Sequence, residues 1–253
     1  MEQAHRQGIL TTASLMVAGP AAADAVRRAR TMPGLGVGLH LVVVEGPAVL
    51  AESAPGGAFG SDQLRLGIDY FFRPGARRRL QAEITAQYRA FAATGLRLDH
   101  ANAHKHMHVH PTVGGMLVQT GLEFGLPALR IPAEPPALMQ ACGAPQRVAS
   151  RTLYQWCRVL RRQGRRAGLR MNDWLLGLAW TGHMTSEKLL RAAPRLPPGL
   201  GEIYFHPASR SGGRLLELMP EYEHATELAA LLDPAVCAAL TARARLRGWI
   251  SPR

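Results

Sequence analysis

The chain has 253 residues, 47% of them hydrophobic, with a formal charge of +12, enough for one sizeable core and suited to a polyanionic neighbour: nucleic acid, an anionic membrane surface or an acidic substrate. Cys142, Cys157 and Cys237 are far apart and form no CxxC pair, which argues against a disulfide framework or a thiolate zinc site and for a reducing cytoplasm. No apolar run is long enough to predict a membrane span, and the N-terminus lacks the basic-then-apolar pattern of a secretion signal.

In chain order, "MEQAHRQG" reads as the end of a helix stopped at Gly8, with no N-cap and too few turns to stand alone. "LTTASLMVAG" is β-branched and apolar, a strand, and "AAADAVRRARTMP" is helical up to Pro33. "LGVGLHLVVV" is a nearly continuous apolar run, as in a strand buried on both faces. A Gly/Pro/Ala/Ser-rich loop over 46–60 precedes a helix, "RRRLQAEITAQYRAFAATG", with Leu80, Ile84, Tyr88 and Phe91 on one stripe and Gly95 as its stop. Beyond the histidine-rich "DHANAHKHMHVHP" come a helix around "TVGGMLVQTGLEFG", the strand "ALRIP", a Pro-rich connection, an Arg-rich helix, and "GEIYFHPAS" leading into a helical C-terminal region. Strand and helix in alternation predict parallel βα units and a single α/β domain.

The histidine run holds His100, His104, His106, His108 and His110, half of the ten in the chain. All carry even numbers, as does Asn102, so an extended strand turns them to one face, with Pro111 ending the pairing. Same-face neighbours stand roughly 6.6 Å apart, while metal–imidazole bonds are about 2.0–2.1 Å, so the run supplies one or two ligands and the rest come from elsewhere. Polar residues close other strands too: His40 in "GVGLH", Arg130 in "ALRIP" and His206 in "EIYFH". In parallel α/β folds such strand ends converge on one rim.

Together, "GILTTASLMVAG", "VGLHL", "LDHANAHKHMHVHP", "ALRIP" and "EIYFHPA" resemble the YdjC family of carbohydrate deacetylases, particularly its hopanoid-biosynthesis-associated branch. The resemblance implies a distorted (β/α) barrel and a divalent metal held by one aspartate and two histidines. Matched by position, the histidines are His40 and His104. The implied substrate is an N-acetylglucosaminyl hopanoid lipid or a related N-acetylated sugar, which loses its acetyl group. One departure is plain: the family's Ala-Asp-Asp-Phe-Gly after the first strand is absent, and the only aspartate before His40 is Asp24, in an Ala/Arg helical stretch. With the abrupt start, this implies that roughly twenty residues, including the first strand, are missing upstream.

A bound metal lowers the pKa of its water toward about 7 and polarises the amide carbonyl. His206 is the candidate general acid for the leaving amine, Arg130 a group to orient a carboxylate or sugar hydroxyl, and Asp99 one to set the tautomer of a neighbouring histidine. Magnesium and zinc lead the candidates, with manganese, cobalt and nickel open. His106 and His108 are expected at the pocket rim and His110 equally at the rim or in loop closure, with His5, His183 and His224 at surface or structural positions. Taken alone, His40 also reads as a hydrogen-bonded core residue.

In "RTLYQWCRVLRRQGRRAGLR", Leu153, Trp156, Cys157 and Leu160 fall on one helical face, and Arg158, Arg161, Arg162, Arg165 and Arg166 on the others. This suits an anionic membrane surface, giving a cytoplasmic protein peripheral on the inner membrane, and equally a packed helix with a solvated basic face. No nucleic-acid recognition motif accompanies the charge, so no such partner is expected. The rival to an enzyme is a non-catalytic metal-binding or scaffold protein without the Asp-Asp pair. The sequence leaves the oligomeric state open.

Overall fold

The computed structural model describes residues 1–144, 148–209 and 214–250. In chain order the elements are α1 (Glu2–Gln7), β1 (Thr12–Leu15), α2 (Ala22–Ala29), β2 (Gly36–Leu41), β3 (Gly46–Pro47), β4 (Ala58–Phe59), α3 (Gln63–Phe72), α4 (Pro74–Ala93) and β5 (Leu98–Ala103). There follow a 3-10 turn (His104–Val109), α5 (Pro111–Glu123), β6 (Ala128–Leu129), α6 (Pro136–Ala141), α7 (Val148–Arg166), β7 (Arg170–Met171) and β8 (Trp174–Leu176). The chain continues with α8 (Ser186–Ala192), β9 (Gly201–Ile203), α9 (Arg214–Leu218), α10 (His224–Leu232) and α11 (Pro234–Thr241). The expected α/β class with a parallel sheet is found, and the chain divides into two compact units.

The larger unit takes in 12–131, 155–171 and 248–253. Its sheet has the order β1-β2-β5-β6-β7, every neighbouring pair parallel. Leu39 and Leu41 of β2 are fully buried, as are Val43 and Val44 beyond it. That accounts for the unbroken apolar run, since a strand covered on both faces has no polar side to show. On α4, Leu80, Ile84, Tyr88 and Phe91 form the buried stripe that their spacing predicts, and Gly95 stops the chain at φ +70°. Glu83 and Gln87 on the same helix are also buried, for a reason that periodicity does not carry. The Glu83 carboxylate accepts the Val49 and Leu50 amides (2.7 and 3.0 Å), and Gln87 clamps the N–H and C=O of Val42 (2.9 and 2.6 Å). These buried polar groups satisfy loop backbone that no sheet pairs.

The smaller unit takes in 1–11, 132–154 and 172–247. It holds the parallel pair β8–β9 and an apolar cluster around Leu138, Trp174, Leu176, Trp180, Met184 and Leu189. The short α1 persists because it packs: Ala4 is fully buried with Leu228 and Leu231, and the Ile9 amide donates to Leu231 O at 3.2 Å. A Cβ on Gly8 would lie 2.2 Å from that same carbonyl oxygen, so glycine is needed for the close approach. Glu134 accepts the successive amides of Gly177, Leu178 and Ala179 (2.8, 2.9 and 2.9 Å).

Several expectations are corrected. The histidine run is not one extended strand: β5 ends at Ala103 and the chain turns. "ALRIP" contributes only two strand residues, and β9 stops at Ile203, so His206 lies three residues past the strand that it was expected to end. Strands β7 and β8, too short for a period-2 signal, escape sequence reading. On α7, Cys157 and Leu160 are buried but Trp156 is 40% exposed, so the stripe is narrower than the spacing implies, while the side chains of Arg151 and Thr152 lie outside the described residues. No described helix is long and apolar enough to cross a membrane.

Candidate active site

Beta-strand register places the candidate residues of the larger unit. Val37 pairs with Leu98 and Leu39 with Ala101, so Gly38 opposes both Asp99 and His100 in a bulge. A bulge re-aims side chains, which is how two consecutive residues come to bond each other: Asp99 Oδ2 lies 3.0 Å from His100 Nδ1. Room for them comes from the glycines of "GVG". A Cβ on Gly36 would meet the Asp99 carboxylate at 2.7 Å, and one on Gly38 would meet His100 O at 2.5 Å and its ring at 2.6 Å.

Gly38 also sits between β1 and β5, paired with Ser14. Ser14 Oγ reaches His100 Nε2 at 2.9 Å and the amide of Asn102 at 2.9 Å. Asn102 is paired in register with His40 and lies 2.5 Å from its Nδ1. A continuous chain of hydrogen bonds therefore runs Asp99–His100–Ser14–Asn102–His40. At its far end Asp99 accepts the backbone amides of Trp249 (3.4 Å) and Ile250 (3.3 Å).

The Asn102 amide has two orientations with different consequences. With its nitrogen toward His40, its oxygen accepts from Ser14 Oγ at 2.9 Å and from the Arg130 guanidinium at 3.1 and 3.3 Å, and His40 Nδ1 is an acceptor. With its oxygen toward His40, it accepts an Nδ1–H and leaves Nε2 as a lone pair for a ligand. Arg130 is 9% exposed and further tied down by its backbone, whose N–H donates to Ala101 O (3.1 Å) and whose C=O accepts from His108 Nε2 (3.1 Å). Its guanidinium thus bears on the orientation of the amide that holds His40.

His104 follows β5 directly, and its ring stands edge-on to that of His40, centroids 5.8 Å apart. Burial pushes its pKa below the usual value, which favours neutral imidazole. The next two residues are strained, with Lys105 at φ +47° and His106 at φ +56°, and Lys105 pairs with Glu45, itself at φ +42°. Among the described residues these are the only non-glycines in left-handed backbone. Such strain costs roughly 1–3 kcal/mol per residue and persists where the surroundings enforce it, often at functional sites.

His108 is fully buried rather than at a rim, its pKa pushed down to about 3 by burial and by Arg130. His110 packs on Phe71 at 4.0 Å between centroids. His40 and His104, the ligand pair that the resemblance implies, stand ring to ring, and burial favours the neutral form of His104. Among the described residues no group of three or more His, Cys, Asp or Glu could hold a metal. Asp24 lies on the surface, paired with Arg27 and Arg28.

In the smaller unit the His206 ring packs edge-on to Tyr204 (5.4 Å) and Tyr222 (5.1 Å), and its backbone amide donates to Glu227. Glu227 is fully buried, also accepts the Met184 amide at 3.1 Å, and has its pKa raised by burial. His224, expected at the surface or in a structural role, is buried and structural, with Nδ1 2.5 Å from His206 O. His183 Nδ1 lies 3.4 Å from Glu223 and His5 Nδ1 2.7 Å from Leu10 O. Sequence reading missed Ser14, whose only signal is a hydroxyl in an apolar strand, and the spacing role of Gly36 and Gly38.

A parallel α/β sheet with paired imidazoles at the ends of adjacent strands belongs to the general class of α/β proteins whose sites lie at strand termini. More particularly, residues 1–242 match the model of the YdjC-like protein family, and the chain belongs to that family. It is 34% identical over 125 residues to a carbohydrate deacetylase of Brevibacillus brevis, covering 49% of this chain and 50% of that one. Over 132 residues it is 33% identical to a carbohydrate deacetylase of Geobacillus stearothermophilus, with 49% and 50% covered. The chain thus spans about half the length of these curated relatives. In fold it is similar to a crystal structure described as a cellobiose-phosphate cleavage protein of Enterococcus faecalis V583, with a TM-score of 0.68 and 20% identity, covering 96% of this chain and 87% of that one.

Proposed function

We propose that this protein is a divalent-metal-dependent carbohydrate N-deacetylase, acting on an N-acetylglucosaminyl lipid of the hopanoid type or a related N-acetylated sugar. The observation that carries the reading is the edge-on pair His40 and His104, from β2 and the end of β5. The family relation and the deacetylases among its relatives support the reaction. When bound, magnesium, zinc or a similar ion supplies an acidified water and a polarised acetyl carbonyl.

The protein's own residues have the following roles in this reading. His40 and His104 hold the ion as neutral imidazoles, a state that burial favours at His104. With its oxygen toward His40 and its nitrogen donating to Ser14 Oγ, Asn102 fixes the His40 ring with Nε2 free, and Asp99 fixes the ring of His100. His206 delivers a proton to the leaving amine. A cytoplasmic protein held at the face of the inner membrane by its basic surface meets a lipid-linked substrate there.

Acetate release from N-acetylglucosaminyl substrates, with and without added divalent metal, tests the reading. Metal-dependent release that disappears in His40→Ala and in His104→Ala supports it. Release that persists in both variants, or is absent from the wild type with every metal, overturns it. The second reading, a metal-binding protein without catalysis, is favoured by the absence of a third donor among the described residues. It predicts metal binding without acetate release.

A further inference from the structure

Helix α3 directs its apolar side chains the wrong way for an ordinary packing element. Of its ten residues only Tyr70 is buried, its hydroxyl donating to Val43 O at 2.8 Å. Leu64 is 76% exposed, Ile68 51%, Phe71 37% and Phe72 77%. At about 100° per residue, positions 64, 68, 71 and 72 form one continuous stripe. Single exposed apolar residues need no explanation, but a contiguous stripe of four large ones marks an interaction surface.

The surroundings of the stripe say what it meets. Arg65 borders it on α3, and Arg77 and Arg78 stand exposed near the start of α4, whereas Arg79 acts on the buried Tyr70. The acidic Asp69 is paired with Arg73 at 3.0 Å, and Asp62 is engaged as the N-cap, accepting the Arg65 amide at 2.9 Å. An exposed apolar stripe with exposed arginines on its own helix and on the next is complementary to an anionic bilayer, where the rings and aliphatic groups enter the headgroup boundary and the guanidiniums meet lipid phosphates. Helix α7, with more arginines, is built differently: Cys157 and Leu160 are buried and Gln163 donates to Pro111 O at 2.9 Å, and its exposed Tyr154, Trp156 and Val159 (37–41%) stand out less than Leu64 and Phe72 (76 and 77%).

The stripe is also coupled to the candidate site. Gln63 Nε2 donates to Lys105 O at 3.1 Å, and the Phe71 ring lies 4.0 Å from that of His110. Helix α3 therefore leans on the turn that carries His104. We propose that α3, with the first turn of α4, is the membrane-docking lip of this protein, seating it on anionic phospholipid so that a lipid-linked sugar enters beside the His104–His110 segment. This rests on the deacetylase reading for the identity of the substrate, but not for the docking itself.

Flotation with vesicles of neutral phosphatidylcholine, with and without phosphatidylglycerol, tests it on the full chain. The wild type is expected to float with the anionic vesicles and to be released by salt. The triple variant Leu64→Ser/Ile68→Ser/Phe72→Ser, altered only at exposed positions, is expected to lose at least about tenfold in partitioning. Its thermal midpoint and its acetate release from a water-soluble N-acetylated sugar should be unchanged, and release from a vesicle-embedded glycolipid should fall in parallel with partitioning. Equal flotation of variant and wild type overturns the lip, as does a change in the mass measured by light scattering, which would make α3 a self-association face. Docking that follows the prediction while neither substrate yields acetate would leave the lip standing and remove the deacetylase reading.

Discussion

His40 and His100 of the larger unit and His206 and His224 of the smaller are used in opposite ways. In the larger unit, His40 and His100 are held by other side chains, Asn102, Ser14 and Asp99, and His40 meets His104 ring to ring. For His206 and His224 the recorded bonds pass through backbone: the His206 amide goes to Glu227, and the His224 ring goes to His206 O. Side-chain bonds to a ring nitrogen fix its tautomer and direction, which matters for chemistry. Backbone bonds fix the path of the chain and leave the identity of the ring less constrained. Residue type alone therefore does not separate site from scaffold; the partner does.

The sharpest way to break this contrast is to remove the paired rings. His40→Ala or His104→Ala is expected to lower acetate release by about a thousandfold or more, since a metal-held site supplies several kcal/mol of transition-state stabilisation. Next in size is Gly38→Ala, whose Cβ would press on His100 from 2.5 Å. It should destabilise the fold by about 3 kcal/mol in denaturant titration, because neither backbone nor bulge can give way cheaply. Gly60→Ala, with nothing within 4 Å of its Cβ, serves as the control and should stay within about 0.5 kcal/mol.

In the smaller unit, His206→Gln keeps the backbone bond to Glu227. The proposed general-acid role predicts a fall of about a hundredfold in kcat with little change in melting temperature. A fall in stability without a fall in kcat would instead make the ring structural. Ser14→Ala sharpens the larger-unit side of the contrast. Loss of one orienting hydroxyl behind His40 should cost about tenfold in metal affinity or activity, with Ser14→Thr closer to wild type.

The smallest effect, read one pH unit at a time, is in pH dependence. Burial and the Arg130 charge push the His108 pKa in the fold down to about 3, against 6.5 when unfolded. Between those values the unfolded chain binds a proton that the folded chain does not, so this contribution to stability is full above pH 6.5 and is lost as pH falls. Relative to His108→Gln, the wild type should lose about 1 kcal/mol per pH unit across that window. Buried Glu134 and Glu227, whose pKa values are raised, act in the opposite sense and are common to both proteins, so the difference isolates His108.

Much of the frame was legible because it rests on periodicity. The stripe of α4 and the apolar run of β2 bury as their spacing says, and Gly95 stops its helix. The even-numbered histidines suggested one strand face, and this failed at His104 because the chain enters left-handed backbone at Lys105 and His106, which composition does not announce. His40 and His104 were reached by resemblance, and their proximity needed the pairing of β2 with β5. Asp99 bonds a neighbouring histidine, but only the register irregularity at Gly38 reveals that the neighbour is His100. Long-range contacts such as Ser14 to His100 leave no local trace in the sequence.

The most direct test of the central claim is a cobalt(II) titration followed by visible absorption, on the wild type, His40→Ala and His104→Ala. A shared site predicts a saturating band of imidazole-bound cobalt, one ion per chain, weakened in both single variants. A band that survives unchanged in either variant would mean that these two histidines do not hold one ion together, and would contradict the account.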